Sequence, residues 1–128
     1  LDPLSGYLTL AARQLAEPAA FAEAWNFGPD PGAALTTGEV ADLVVRAWGS
    51  GRWMSAADPS APHVAGQLRI ASAKARTRLG WRPGCGPEEA IARTVAWYRA
   101  AREKGFDAAA FTRRQIADYC AAAVGSPR

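Results

Sequence analysis

The sequence predicts a small α+β domain, mostly helical, with four or five helices around short strands. Three observations predict it. Apolar residues recur at helical spacing in four segments. Hydroxyl, proline and glycine residues stand where helices start and stop. Three short aromatic or alternating runs sit between turn formers, the pattern of brief strands.

The first helix is expected from about Pro3 to Ala16. Asp2 suits its cap and Pro3 its first turn. Leu4, Tyr7, Leu8, Ala11 and Leu15 form its apolar face, and Pro18 closes it. The stretch Ala24-Trp25-Asn26-Phe27-Gly28-Pro29 then reads as a first strand, followed by a Pro29-Asp30-Pro31-Gly32 loop. Thr36-Thr37-Gly38-Glu39 is a capping box. The helix behind it carries the stripe Val40, Leu43, Val44, Ala47 and Trp48, and Gly49 and Gly51 end it. Arg52-Trp53-Met54 reads as a second strand, Asp58 to Pro62 as a loop, and Leu68-Arg69-Ile70 as a third strand.

Ser72 is placed to cap a short helix to Leu79, which Gly80 stops. After the turn-rich Pro83-Gly84-Cys85-Gly86, a helix is expected from Pro87 to about Lys104, with Glu88 and Glu89 complementing its positive end. A final helix is expected after Thr112, where Thr112 and Gln115 have capping-box spacing. Its apolar face would be Ile116, Tyr119, Cys120 and Ala123.

Composition narrows the function classes. The 128 residues are 49% hydrophobic and 21% charged, with a net charge of +3, which is globular usage. Acidic residues are interspersed among the basic ones, so the concentrated positive face of a nucleic-acid binder is not expected. The densest basic run, Lys74, Arg76 and Arg78, reads as a solvated helix face. No apolar run approaches the ~20 residues of a membrane span. The chain opens Leu1-Asp2-Pro3, without the basic and apolar regions of a secretory signal. A start at Leu almost inside a helix suggests a fragment whose partner domain lies elsewhere. Cys85 and Cys120 are distant from each other and His63 is the single histidine, so no metal site is expected. The thiols read as reduced, in a cytoplasmic protein.

Catalytic signatures are missing. Gly28, Gly32 and Gly38 are not placed as a strand–turn–helix dinucleotide motif, and Gly80, Gly84 and Gly86 lie between two predicted helices. Four residues after Tyr7, Tyr98 and Tyr119 stand Ala11, Arg102 and Ala123, so there is no Tyr-x-x-x-Lys proton relay. No nucleophile can be paired with a base, and no catalytic residue is assigned.

Several blocks do carry a resemblance: Leu1-Asp2-Pro3-Leu4-Ser5-Gly6-Tyr7-Leu8, Trp25-Asn26-Phe27-Gly28-Pro29, Trp53 and Asp58 with Pro62-His63, Ser72-Ala73-Lys74-Ala75 with Leu79-Gly80-Trp81-Arg82-Pro83, and Thr94-Val95-Ala96-Trp97-Tyr98. Together they span nearly the whole chain. They resemble the C-terminal portion of extended short-chain dehydrogenase/reductases acting on nucleotide sugars (the NAD-dependent epimerase/dehydratase family). The first two blocks point toward the CDP-glucose 4,6-dehydratase type. Two positions depart from it. Val64 and Ala71 stand where that type favours acidic residues, and the first of these helps hold the nucleotide in related GDP-mannose dehydratases.

The resemblance implies a substrate-binding C-terminal domain over residues 1–128, detached from its Rossmann domain. In the parent lyase, bound NAD oxidises the sugar at C4, water leaves across C5 and C6, and the hydride returns to C6, giving a 4-keto-6-deoxy sugar nucleotide. The implied partners are a CDP-glucose-like nucleotide sugar and the upstream Rossmann domain, in a homo-oligomeric parent, with no nucleic acid and no membrane. NAD would belong to the upstream domain and none to this segment, which would be inactive alone. His63, Arg69 and Trp53 are the expected substrate contacts, His63 toward phosphate or ribose, Arg69 toward the diphosphate and Trp53 by stacking. Trp25 is a further stacking candidate, and Asn26 points to the cleft or a turn. Two other readings stand beside this one: a segment of a GDP- or UDP-sugar epimerase or dehydratase, and a free-standing helical protein-interaction module.

Overall fold

The computed structural model describes residues 1–56 and 70–125. It is built from five α-helices and one π-helical turn: α1 (Asp2–Ala16), α2 (Pro18–Phe21), α3 (Thr37–Trp48), the π-helical turn Ala75–Leu79, α4 (Pro87–Ala100) and α5 (Ala108–Gly125). No strand occurs among the described residues, so over them the expected α+β class is corrected to all-helical. The segments 24–29 and 52–54 are irregular, and so is Ile70; Leu68 and Arg69 lie outside the described residues. The physical reason is plain at 24–29. Its aromatics serve burial, not pairing: Phe27 is 8% exposed in a core with Phe21, Ala75, Leu79 and Trp81. A strand needs a neighbour to bond, and no backbone ladder reaches this segment from the described residues.

The chain forms two compact units. The first takes residues 1–34 with the described parts of 69–86 and 118–128. In it α1 packs on α2 and on the π-helical turn. The inward side of α1 is not the expected apolar stripe. Gly6 is buried, Leu10 is half-buried against the core, and Gln14 Nε2 donates to the Phe21 carbonyl at 3.2 Å. These residues stand four apart, on one side of the helix. The ring of Phe27 lies so close that a Cβ at Gly6 would sit 2.3 Å from its Cδ1. Tyr7 and Trp81 both meet Phe27 edge to face, at 5.5 and 5.1 Å between centroids. The stripe Leu4, Tyr7, Leu8 and Leu15 is left exposed, Leu8 at 73% and Leu15 at 87%.

Ser72 is 1% exposed and its hydroxyl donates to the Gly28 carbonyl at 3.4 Å, holding 28 beside 72 instead of serving as the expected cap. The short helix there widens: the N–H groups of Gly80 and Trp81 both reach the Ala75 carbonyl, with Gly80 at φ 67° as the expected left-handed stop. Pro18, expected only to close α1, opens the single turn of α2.

The second unit takes residues 87–117 and the described part of 35–68. Here α3 packs on α4. The Thr36 box forms as expected, with Glu39 N–H donating to Thr36 Oγ1 at 3.2 Å and Thr36 N–H to Glu39 Oε2 at 2.6 Å. Gly49 ends α3 at φ 87°. Helix α4 stops at Ala100 and not at Lys104, unwinding through turns to Gly105 at φ 81°. Helix α5 starts earlier than expected. Asp107 Oδ1 takes the Ala110 N–H, which places Thr112 inside the helix, where its hydroxyl accepts the Trp97 indole N–H at 3.0 Å.

Candidate functional site

Trp53 is the expected substrate contact that the described residues include. It lies across the first turns of α3. Gly38 leaves room for it, since a Cβ there would come within 3.2 Å of the ring's Cη2. The indole N–H donates to Asp42 Oδ1 at 2.8 Å. Gly38 and Asp42 are four residues apart on the helix, so one helical face supplies both the floor and the acceptor. The ring stays 44% exposed. Glu39 stands in the same turn. Its carboxyl is held below the usual range, first by the Thr36 backbone N–H and then by the Thr36 hydroxyl, with the Asp42 charge opposing. This end of α3 is therefore acidic and unsuited to phosphate. The other two expected contacts, His63 and Arg69, lie outside the described residues, as does Val64.

The second stacking candidate is already occupied. Trp25 stacks on Phe21 at 5.9 Å and donates its N–H to the Phe21 carbonyl at 3.1 Å. Lys74 Nζ sits 4.4 Å from the ring centre and the Arg78 guanidinium 5.2 Å. The basic run is not the free solvated face expected from spacing. Lys74 pairs with Glu23 at 2.6 Å, Arg78 pairs with the same carboxylate, and Arg76 pairs with Asp30 at 2.9 Å. Glu23 is held below the usual carboxylate range, chiefly by the Lys74 hydrogen bond. These pairs fasten residues 23–30 to 74–78. Asn26 is exposed, with no side-chain hydrogen bond among the described residues.

A polar clasp in the first unit was not legible in the sequence. Asp2, expected to cap α1, instead accepts from the Gly84 N–H and the Tyr119 hydroxyl on Oδ1, both at 2.6 Å, and from the Cys85 thiol on Oδ2 at 3.3 Å. Ser5 Oγ accepts from the Trp81 indole at 2.9 Å and lies 3.2 Å from the Tyr119 hydroxyl, whose proton goes to Asp2. Burial, then the bond to Asp2, pushes the Tyr119 hydroxyl up to about 12. Every member has an internal partner, so the cluster reads as a structural lock.

Two surface grooves lie in the second unit. One, of about 340 Å³, is lined by Thr94, Trp97, Tyr98 and Gln115. The other, of about 600 Å³, is lined by Trp48, Ser50, Arg99, Arg102 and Glu103 among others. In the latter, Arg99 donates to the Ala47 carbonyl at 3.2 Å and Arg102 lies over the Trp48 ring. Arg99 is thereby committed to the negative end of α3 and Arg102 to the Trp48 ring.

Gly84 is placed for packing. The Gly84 N–H is bonded to Asp2, and a Cβ at Gly84 would meet the Tyr119 ring at about 3 Å, so that glycine serves close packing and not a pyrophosphate cradle. Among the described residues no three His, Cys, Asp or Glu side chains gather as metal ligands. No helix among them is long and apolar enough to cross a membrane.

No family model matches the chain. It is 38% identical over 122 residues to CDP-glucose 4,6-dehydratase from Salmonella typhimurium strain LT2. That match takes in 95% of this chain but 34% of the relative, so the chain spans about a third of the length of the curated protein it matches. The resemblance read from the sequence blocks is real: the chain is similar, over almost all of its length, to a portion of a CDP-glucose 4,6-dehydratase.

Proposed function

We propose that the chain is the substrate-binding portion of a nucleotide-sugar 4,6-dehydratase acting on a CDP-glucose-like substrate. A separate Rossmann portion binds NAD and carries out the redox chemistry. The observation that carries the reading is the 38% identity across 95% of the chain. The structure supports it from a second direction. Helix α1 turns Gly6, Leu10 and Gln14 inward and leaves Leu4, Tyr7, Leu8 and Leu15 exposed on one side. A run of this kind marks a contact surface, and covering each leucine is worth about 1–2 kcal/mol. The occupant we assign is the remaining part of the enzyme, since the matched relative is about three times as long as the aligned region. The segment alone is inactive in this reading, and it contributes one wall of the sugar-nucleotide cleft.

Equilibrium dialysis of the chain against NAD and against CDP-glucose tests the proposal. NAD should pass unretained and CDP-glucose should be held weakly. Retention of NAD at micromolar concentration would overturn the division of labour. Competition among CDP-, GDP- and UDP-sugars decides between this substrate and those of the related epimerases and dehydratases.

A further inference from the structure

We propose that Trp53, seated on Gly38 and tied to Asp42, is the platform for the nucleobase, and that Asp42 selects a base with an exocyclic amino group. This rests on the nucleotide-sugar reading above and adds to it the part of the ligand that Trp53 faces and one base-contacting residue, Asp42. Three observations carry it. The ring is held at two points, by the 2.8 Å bond from its N–H to Asp42 Oδ1 and by the close approach of Gly38, yet remains 44% exposed. A fixed aromatic face with open surface accepts a planar base at little ordering cost. Asp42 uses only Oδ1; Oδ2 has no partner among the described residues, and no cation among them pairs with this carboxylate.

An ionised carboxylate accepts hydrogen bonds and cannot donate them. The amino group of cytosine therefore complements Asp42, whereas the O4 carbonyl of uracil faces it with two acceptors opposed. The neighbouring Glu39 adds to this selection by charge. It keeps a diphosphate away from this turn, so the base and not the phosphate lies over Trp53.

The test is a titration of the chain with CDP and with UDP, following the indole N–H resonances by NMR, that of Trp53 assigned from Trp53→Phe. CDP should shift the Trp53 signal and bind about tenfold more tightly than UDP. Asp42→Asn keeps an acceptor for the indole and offers an amide donor to the base, so it should erase or invert the preference. Asp42→Leu should weaken both ligands, with thermal melting confirming that it folds. A CDP complex that moves other residues but not Trp53 overturns this inference alone. An Asp42→Asn variant with the wild-type CDP preference does the same. Absence of any CDP binding overturns the nucleotide-sugar reading together with it.

Discussion

Gly6→Ala is the sharpest test of the first unit. The added methyl carbon would lie 2.3, 2.6 and 2.7 Å from Cδ1, Cγ and Cε1 of Phe27. Carbon atoms prefer about 3.5–4.0 Å, so ring or helix must retreat by roughly 1 Å. The ring has little room, because Trp81 and Tyr7 press on it edge to face and it is 8% exposed. Overpacking of this sort costs about 1–3 kcal/mol, and rigid backing puts Phe27 at the upper end. Against it stands the gain of about 1 kcal/mol for alanine over glycine inside a helix. The net is a loss of about 2 kcal/mol, read as a lower urea midpoint with unchanged slope. The same substitution in a Phe27→Leu background should recover much of that loss, since the flexible side chain can move aside. If Gly6→Ala stabilises the protein, or costs as much in the Phe27→Leu background as with Phe27 in place, the packing argument is wrong.

Two further predictions concern the clasp and the exposed stripe. Tyr119 ionises near 10 when unfolded and near 12 when folded, so the unfolded chain loses the proton first and stability falls as pH rises through that interval. The loss should be about 1–2 kcal/mol, allowing for partial solvent access, and Tyr119→Phe should abolish this pH dependence while costing about 1 kcal/mol at neutral pH. Unfolding curves at successive pH values check both; an unchanged slope between pH 10 and 12 in the variant would reject the assignment. Leu8→Glu with Leu15→Glu should change stability by no more than about 0.5 kcal/mol and reduce binding of an apolar dye. A loss above about 1 kcal/mol would mean that the stripe belongs to the chain's own core.

Local rules were legible where the sequence acts over a few residues. The Thr36–Glu39 box, the Gly49 and Gly80 stops and the Pro87 start all stand where spacing put them. Rules failed where a distant partner displaces the local one. Asp2 has the right type and place for a cap, but the Gly84 N–H and the Tyr119 hydroxyl take its carboxylate. Thr112 and Gln115 have capping spacing, but Asp107 caps the helix first, while Gln115 donates to the Arg93 carbonyl at 2.7 Å. The Trp25 and Phe27 run has strand composition, yet its aromatics are consumed by packing. At the candidate site, Trp53 was named only through the family resemblance. Asp42 was not legible, because its meaning comes from an eleven-residue separation that only the folded turn of α3 closes.

The clasp that binds Asp2 to Tyr119 joins groups 117 positions apart. Translation delivers the first of these well before the last, so the polar anchor of α1 cannot exist until the stretch between them has been made. Removal of the closing helix would therefore unfasten the beginning of the chain, and a fusion at either end should leave both Asp2 and Tyr119 free to meet.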